Sequence, residues 1–129
     1  MVNYAVSNVD TTGKVFLMNH ASLVFTDNGT TYTARIQTPP DDNGTNKQKF
    51  YAYIDIVGDV ESTSSPLTIS VSDDDYQNYN VLGTVDLSSQ SRRLSRLGSA
   101  RRRAWVMTHS AATPMRLERG EGEMRIGST

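Results

Sequence analysis

Turn-forming residues break this chain into short runs, and this division constrains the possible folds more than any other feature. Clusters of Gly, Pro, Asn, Asp and Ser recur along the sequence, as in residues 38–46 (TPPDDNGTN). The runs between them are rich in Val, Ile, Thr, Tyr and Phe, and none keeps a period of 3.6 residues over a helical length. The pattern predicts an all-β fold of about seven to nine short strands, either an antiparallel β-sandwich or a partly open barrel.

The best-marked strand covers residues 50–57 (FYAYIDIV). Successive side chains of a strand point to opposite faces, so regular alternation predicts that four apolar residues share the core face. These residues are Phe50, Ala52, Ile54 and Ile56. The opposite face then carries two tyrosines and an aspartate, which makes it either solvated or part of an interface.

The length of 129 residues fits one domain with a single core. We expect residues 21–129 to form one β-sandwich domain, preceded by an N-terminal extension or arm over residues 1–20. An Asn-Gly pair at residues 28–29 predicts a hairpin of residues 21–26 with residues 31–37. The N-terminus lacks the basic start and apolar stretch of a signal peptide, and no apolar run approaches the roughly 20 residues of a bilayer span, so no membrane association is expected.

Residues 92–117 carry seven of the thirteen basic residues and the only tryptophan. They predict a basic hairpin, with one strand over residues 100–108 and a second that begins at Met115. Alternation along the first strand places two arginines and the tryptophan on one face: Arg101, Arg103 and Trp105.

Three interpretations of this face stay open. As a subunit interface it would meet acidic loops of a neighbouring copy, since Arg and Trp are enriched at interface hot spots. Those loops carry Asp41, Asp42, Asp59 and Glu61. Alternatively, Trp105 lies in the core and the arginines are solvated. As a DNA contact, the arginines would neutralise phosphates and the tryptophan would stack on bases, although a pI of about 6.1 is low for a dedicated DNA-binding domain.

The charges are unevenly distributed along the chain. Residues 1–86 hold four bases and eleven acids, whereas residues 87–129 hold nine bases and three acids. Such asymmetry can leave one end of the fold basic and attractive to nucleic acid or a complementary neighbour. The other interpretation is that a β-fold interleaves its two halves, so that charges separated in sequence mix in space.

Asp73, Asp74 and Asp75 are candidate oxygen ligands for calcium, but the segment lacks the alternating ligands and closing glutamate of an EF-hand loop. Aspartates in turns commonly accept hydrogen bonds from their own backbone, which favours a structural turn. Residues 72–79 also resemble a degraded Asp-box, the Ser-x-Asp-x-Gly-x-Thr-Trp hairpin turn of sialidase-like propellers. Tyr76 stands at its glycine position. That resemblance likewise implies a structural turn.

No catalytic, cofactor-binding or metal-binding residue is predicted, and the protein is not expected to be an enzyme. His20 and His109 have no acid and nucleophile near them in sequence. Three glutamates could supply a carboxylate pair for sugar hydrolysis: Glu118, Glu121 and Glu123. Because three arginines lie among them, the glutamates are expected to be cross-strand charge partners instead. Those arginines are Arg116, Arg119 and Arg125.

Four segments together resemble a known family. They are residues 70–79 (SVSDDDYQNY), 94–98 (LSRLG), 101–105 (RRRAW) and 114–118 (PMRLE). In this combination they are similar to the C-terminal region of the large β-rich tail proteins of short-tailed bacteriophages, the nozzle or packaged-DNA-stabilising proteins. The resemblance extends over roughly residues 22–126.

The resemblance implies a virion structural protein of the phage tail or neck. It would be made in the cytoplasm of the bacterial host, would form a symmetric homo-oligomer such as a ring, and would contact neighbouring tail or neck proteins. The larger proteins carry a propeller-like body where this sequence has about twenty residues, so we expect a freestanding version of the terminal domain. The alternative is a carbohydrate- or surface-binding β-sandwich module, favoured by tyrosines on the open strand face and the sialidase-like turn. A DNA-contacting protein of the tail lumen is the third possibility.

Overall fold

A computed structural model describes residues 3–6, 15–18, 26 and 29–129. Within these residues the chain forms ten β-strands and no helix, which confirms the all-β prediction. The strands are β1 (Asn3–Val6), β2 (Val15–Met18), β3 (Ala34–Gln37), β4 (Lys49–Gly58), β5 (Pro66–Ser72), β6 (Asn80–Asp86), β7 (Arg93–Ser95), β8 (Ser99–Ala100), β9 (Ala104–His109) and β10 (Leu117–Ile126).

Eight of these strands form two four-stranded antiparallel sheets. The first sheet has the order β10-β4-β7, with β8 also paired to β4, and the second has the order β3-β9-β5-β6. The strands lie in two sheets, which agrees with the predicted β-sandwich, and the fold is not a closed barrel.

Strands β1 and β2 pair with each other and form a further two-stranded sheet. They are the only described part of the predicted N-terminal arm, residues 1–20. The remainder of that prediction, including His20, lies outside the described residues, as do residues 21–25 and 27–28 of the predicted hairpin.

The core lies between β4 of the first sheet and β5 and β6 of the second. Its buried apolar side chains come from these strands and from the loops that follow β6 and β7. They are Ile54, Ile56, Leu67, Ile69, Val85, Leu87 and Leu97. Trp105, Met107 and Leu117 pack against this cluster from β9 and β10. Burial of these side chains supplies the main favourable free energy of folding.

The alternation predicted for β4 is only half right. Ile54 and Ile56 are buried, but Phe50 is 53% exposed and Ala52 is also exposed. Tyr53 pairs with Glu123 of β10, whereas Tyr51 pairs with the next residue of β10, Met124, so Ala52 is an extra residue in β4. Such a β-bulge reverses the alternation, and the first part of β4 therefore turns the opposite set of side chains inward.

The predicted basic hairpin is wrong, because its two strands belong to different sheets. Strand β9 pairs with β3 and β5 in the second sheet, whereas β10 pairs with β4 in the first. Ala104 and Val106 of β9 are buried on one face, and Trp105 packs on the core from the other. Strand β9 is thus a central strand buried on both faces, whereas β10 is an edge strand whose residues are mostly exposed.

Candidate functional site

Arg103 lies at a buried junction between several parts of the chain. Its side chain is 3% exposed and binds the Asp73 carboxylate in a bidentate geometry, with Nε donating at 2.7 Å and Nη2 at 2.8 Å. Its Nη1 donates to the Leu97 carbonyl at 2.7 Å. The guanidinium carbon also lies 4.3 Å from the Tyr51 ring centroid and 5.6 Å from that of Trp105. Every face of this cation is therefore engaged within the chain.

The shared face predicted for Arg101, Arg103 and Trp105 holds for Arg103 and Trp105, since the Arg103 guanidinium carbon lies 5.6 Å from the Trp105 ring centroid, but it is wrong for Arg101. Strand β9 begins only at Ala104, so regular alternation does not extend back to Arg101. Arg101 is exposed and donates to the Asn46 carbonyl, whereas Arg103 is internal and Trp105 is partly buried against the core. The core interpretation holds for Trp105, and Arg103 is neither solvated nor available to a neighbour.

A buried lysine stabilises the chain next to Arg101. Lys49 has no exposed surface, and its ammonium group donates to three backbone carbonyls, those of Thr45, Lys47 and Arg101. These bonds compensate the loss of water around the charge. The arrangement joins the loop before β4 to the segment before β9, and no sequence pattern had distinguished Lys49 from the exposed bases.

The acidic segment is a self-bonded turn between β5 and β6. The Asp74 carboxylate accepts hydrogen bonds from the Ser72 hydroxyl and from the backbone and side-chain N–H groups of Asn78. These bonds, above all the one from the Asn78 backbone, hold the pKa of Asp74 below its ordinary value. The three carboxylates have separate partners, because Asp73 binds Arg103 while Asp75 pairs with a different arginine.

The residue at the glycine position of the Asp-box resemblance has a left-handed backbone conformation. Tyr76 stands at the glycine position of that motif and has a φ of 73°, in the left-handed region that favours glycine. Its backbone N–H donates to the Ser72 hydroxyl, and its own hydroxyl donates to the Thr38 carbonyl at 2.8 Å. These two bonds offset the backbone strain. Among the described residues, no three His, Cys, Asp or Glu side chains form a group that could hold a metal ion.

The charges that are separated in sequence pair in space. Among the residues that the structure describes, four ion pairs join an arginine from the basic C-terminal part to an aspartate from residues 1–86. They are Arg93–Asp55, Arg102–Asp75, Arg103–Asp73 and Arg116–Asp59. The interleaved interpretation of the charge asymmetry therefore describes this fold, and the basic segment is not left as an unpaired stripe.

Arg119 of β10 binds two of the three glutamates considered for sugar hydrolysis. It lies 3.3 Å from Glu118 and 2.6 Å from Glu121. The glutamates are thus arginine partners as predicted, but along the same strand rather than across strands. Glu123 differs from both, because it lines the cleft described below.

Ser65 and His109 form a buried polar cluster that sequence reasoning missed. His109 Nε2 lies 2.8 Å from the Ser65 hydroxyl, and the Thr113 hydroxyl donates to the same oxygen at 3.0 Å. The Ser65 hydroxyl also lies 3.0 Å from the Pro114 carbonyl oxygen, which can accept its proton. Ser65 has no exposed surface, so its hydroxyl is not accessible to a substrate. The cluster joins the loop before β5, the end of β9 and the loop before β10.

Asp86 accepts hydrogen bonds beside this cluster, and it should make stability sensitive to acid. Hydrogen bonds from the Ser64 hydroxyl first, then from the Ser65 and Ser88 backbone N–H groups, hold the pKa of Asp86 far below its ordinary value. Below about pH 4, where unfolded aspartates titrate, the unfolded state binds more protons than the folded one, so stability falls as pH falls. We expect the melting temperature to drop in this window, with a shallower drop in Asp86→Asn. Equal slopes for the two proteins would contradict the assignment.

An open cleft of about 320 Å³ separates the two sheets on the side of β10. On the other side of the sandwich β6 and β7 are in contact. Residues from β4, β9, β10 and the loop after β3 line the cleft. They are Thr38, Asn43, Tyr51, Tyr53, Ile54, Trp105, Met107, Gly120, Gly122, Glu123 and Met124. The lining is thus largely aromatic and apolar, with a few polar groups.

Two glycines of β10 are among the residues that line the cleft. Gly120 pairs with Ile56 and Gly122 with Ile54. At these two positions, therefore, the core-facing side of β10 carries no side chain. Strand β10 runs through both glycines, and its irregularities lie before Arg119 and after Glu123. A side chain at Gly120 would meet the ends of Ile54 and Met107, whereas one at Gly122 would meet the backbone of β4.

Alanine should be tolerated at one glycine and not at the other. A Cβ atom at Gly122 would lie 2.7 Å from the Tyr53 carbonyl oxygen, which is backbone and cannot move aside cheaply. At Gly120 it would lie 3.1 Å from Ile54 Cδ1, a flexible side-chain end. We expect Gly122→Ala to cost about 1–3 kcal/mol in unfolding free energy, and Gly120→Ala clearly less. Denaturant unfolding of both variants measures the two free-energy losses. Equal losses would show that the backbone moves to relieve the contact between the new Cβ atom at position 122 and the Tyr53 carbonyl oxygen.

No family model, curated protein or solved structure matches this chain. In the parts that the structure describes, no helix is long and apolar enough to cross a lipid bilayer. The fold and the site geometry define an all-β sandwich with a buried arginine junction and one open aromatic cleft.

Proposed function

We propose that the protein is a bacteriophage virion structural protein, a nozzle-like component of the tail or neck. In this role it assembles into a symmetric oligomer and contacts other tail proteins. One observation carries the proposal: three of the four segments with the family resemblance meet at the same buried side chain. Asp73 from the first and the Leu97 carbonyl from the second both bind Arg103 of the third.

This convergence favours a structural role. The residues that carry the resemblance hold two sheets and a loop together, and they do not surround a reactive group. A resemblance concentrated at such a junction is expected for proteins that share a fold and its packing. It does not require that they share a catalytic site.

The surface supports contacts with neighbours. Large apolar side chains from both sheets and from loops are exposed, and burial against another subunit would remove them from water. They are Tyr32, Ile36, Phe50, Val60, Tyr79, Val81 and Ile126. Val81 is the most exposed at 69%.

The contact we propose between copies uses these apolar side chains and not the basic segment. Arg103 is buried, and Asp59 of the acidic loops already pairs with Arg116 of the same chain. Four arginines of the basic part have carboxylate partners. A role in contacting DNA therefore has less support than a role in contacting other proteins.

Purified phage particles from the source strain test the proposal. We expect mass spectrometry to find this chain at a fixed ratio to the major capsid protein, and electron microscopy to locate it at the tail or neck. The isolated protein should sediment as a defined oligomer. A chain that is abundant in the infected cell and missing from purified particles would reject the virion role.

A further inference from the structure

Strands β1 and β2 form an apolar strand pair that the sandwich of their own chain does not cover. Apart from Asn3, every residue of the two strands is apolar or aromatic. In the described part of the chain, the pair contacts no strand of the two larger sheets. Because a two-stranded sheet is marginally stable at best in water, this pair needs another surface to pack against.

The strand pair is apolar on both of its faces. The register places Tyr4 opposite Leu17 on one face, and Ala5 opposite Phe16 on the other. A single sandwich surface can cover only one face of such a layer. Burial of both apolar faces therefore requires surfaces from two subunits.

The open cleft offers an apolar surface beside β10. The register turns Gly120, Gly122 and Met124 of this strand toward the second sheet. Met107 approaches Gly120 from the second sheet, and Ile36, which pairs with Met107, continues the same face at the β3 edge. Ile36 is 46% exposed. Apolar surface is thus left open where both sheets end.

The edge strands beside the cleft can also accept an added strand. Within the residues that the structure describes, β10 pairs only with β4, and β3 pairs only with β9. The free side of an edge strand leaves backbone N–H and C=O groups without sheet partners, and an incoming strand supplies them. This side of the sandwich therefore offers both apolar contacts and main-chain hydrogen bonds.

We propose that the strand pair of one copy docks in the cleft of a second copy, along the free edge of β10. One apolar face then lies on Ile36, Met107 and Met124 of the second copy, and the other face is covered where the two copies meet. Neither β1 nor β2 carries a charged residue, so docking removes no ionised group of the strand pair from water. The inference rests on the self-association in the proposed function and names the surfaces that make it.

Photo-crosslinking between isotopically heavy and light chains tests this contact. We would replace Phe16 with p-benzoylphenylalanine, mix dilute heavy and light protein, concentrate them together, irradiate, and map the products by mass spectrometry. Crosslinks that join a heavy chain to a light chain at β3, β9 or β10 are expected. The same replacement at Tyr79, whose ring lies beside Arg35 on the opposite face of β3, should give no crosslink to the residues that line the cleft.

A pair of substitutions on β3 gives an independent measurement. Ile36→Glu places a charge on the face toward the cleft, whereas Gln37→Glu places the same charge on the opposite face of the strand. In sedimentation equilibrium, Ile36→Glu should weaken self-association about tenfold, because docking would bury the new carboxylate, and Gln37→Glu should associate like the wild type.

Three results overturn the proposal. They are equal association of the two β3 variants, no crosslink from position 16 to the cleft, and crosslinks to the cleft that stay within one chain. A monomeric protein that is nonetheless found in purified phage particles also overturns it, and that result leaves the virion role intact.

Discussion

Replacing Ile54 with aspartate is expected to abolish folding. Ile54 is 7% exposed and belongs to the core cluster between the sheets. An aspartate there would be a buried charge without a partner, which costs several kcal/mol or more. The total stability of a domain is only about 5–15 kcal/mol. The variant should therefore be insoluble or should lack a cooperative melting transition in circular dichroism and calorimetry.

Phe50→Asp is the matched control on the same strand. Simple alternation places Phe50 on the face of Ile54, and both aspartates would then be equally harmful. The bulge at Ala52 leaves Phe50 53% exposed, so Phe50→Asp should remain folded. A cooperatively melting Ile54→Asp protein would contradict the core assignment, whereas an unfolded Phe50→Asp protein would contradict the bulge.

Arg103→Met should cause the second largest loss. Methionine keeps much of the apolar length of the side chain but leaves the Asp73 carboxylate and the Leu97 carbonyl without their donor. Breaking one partner of a buried ion pair costs roughly 3–5 kcal/mol, and the lower end applies because the Asp73 side chain is 31% exposed. Urea denaturation monitored by circular dichroism measures the loss.

Arg101→Met is the control for this substitution. Arg101 is exposed and makes one hydrogen bond to a backbone carbonyl, so the change should stay within about 0.5 kcal/mol. Adding Asp73→Asn to Arg103→Met should cost less than the sum of the two single changes, because both remove the same interaction. Additive losses would mean that Arg103 acts through its packing on Tyr51 and Trp105 and not through Asp73.

Much of the local structure could be predicted from the sequence. The short runs rich in β-branched and aromatic residues are strands, and the clusters of turn formers lie between them. The turn that includes Asp74 was also predictable, because its hydrogen bonds join residues two or four positions apart. The core positions of Ile54 and Ile56 were predictable as well, because the alternation between them is unbroken. In each case the deciding atoms are close together along the chain.

The tertiary structure alone decided which strands pair and which polar groups meet. A turn signal before Met115 predicts a reversal of the chain, but whether β10 pairs with β9 or β4 depends on burial across the whole sandwich. The bulge at Ala52 arises from the register between β4 and β10 and leaves no mark in the sequence of β4. Arg103 meets Asp73 across 30 residues and Ser65 meets His109 across 44. Contacts of this length follow from how the sheets pack, because no property of either residue specifies its distant partner.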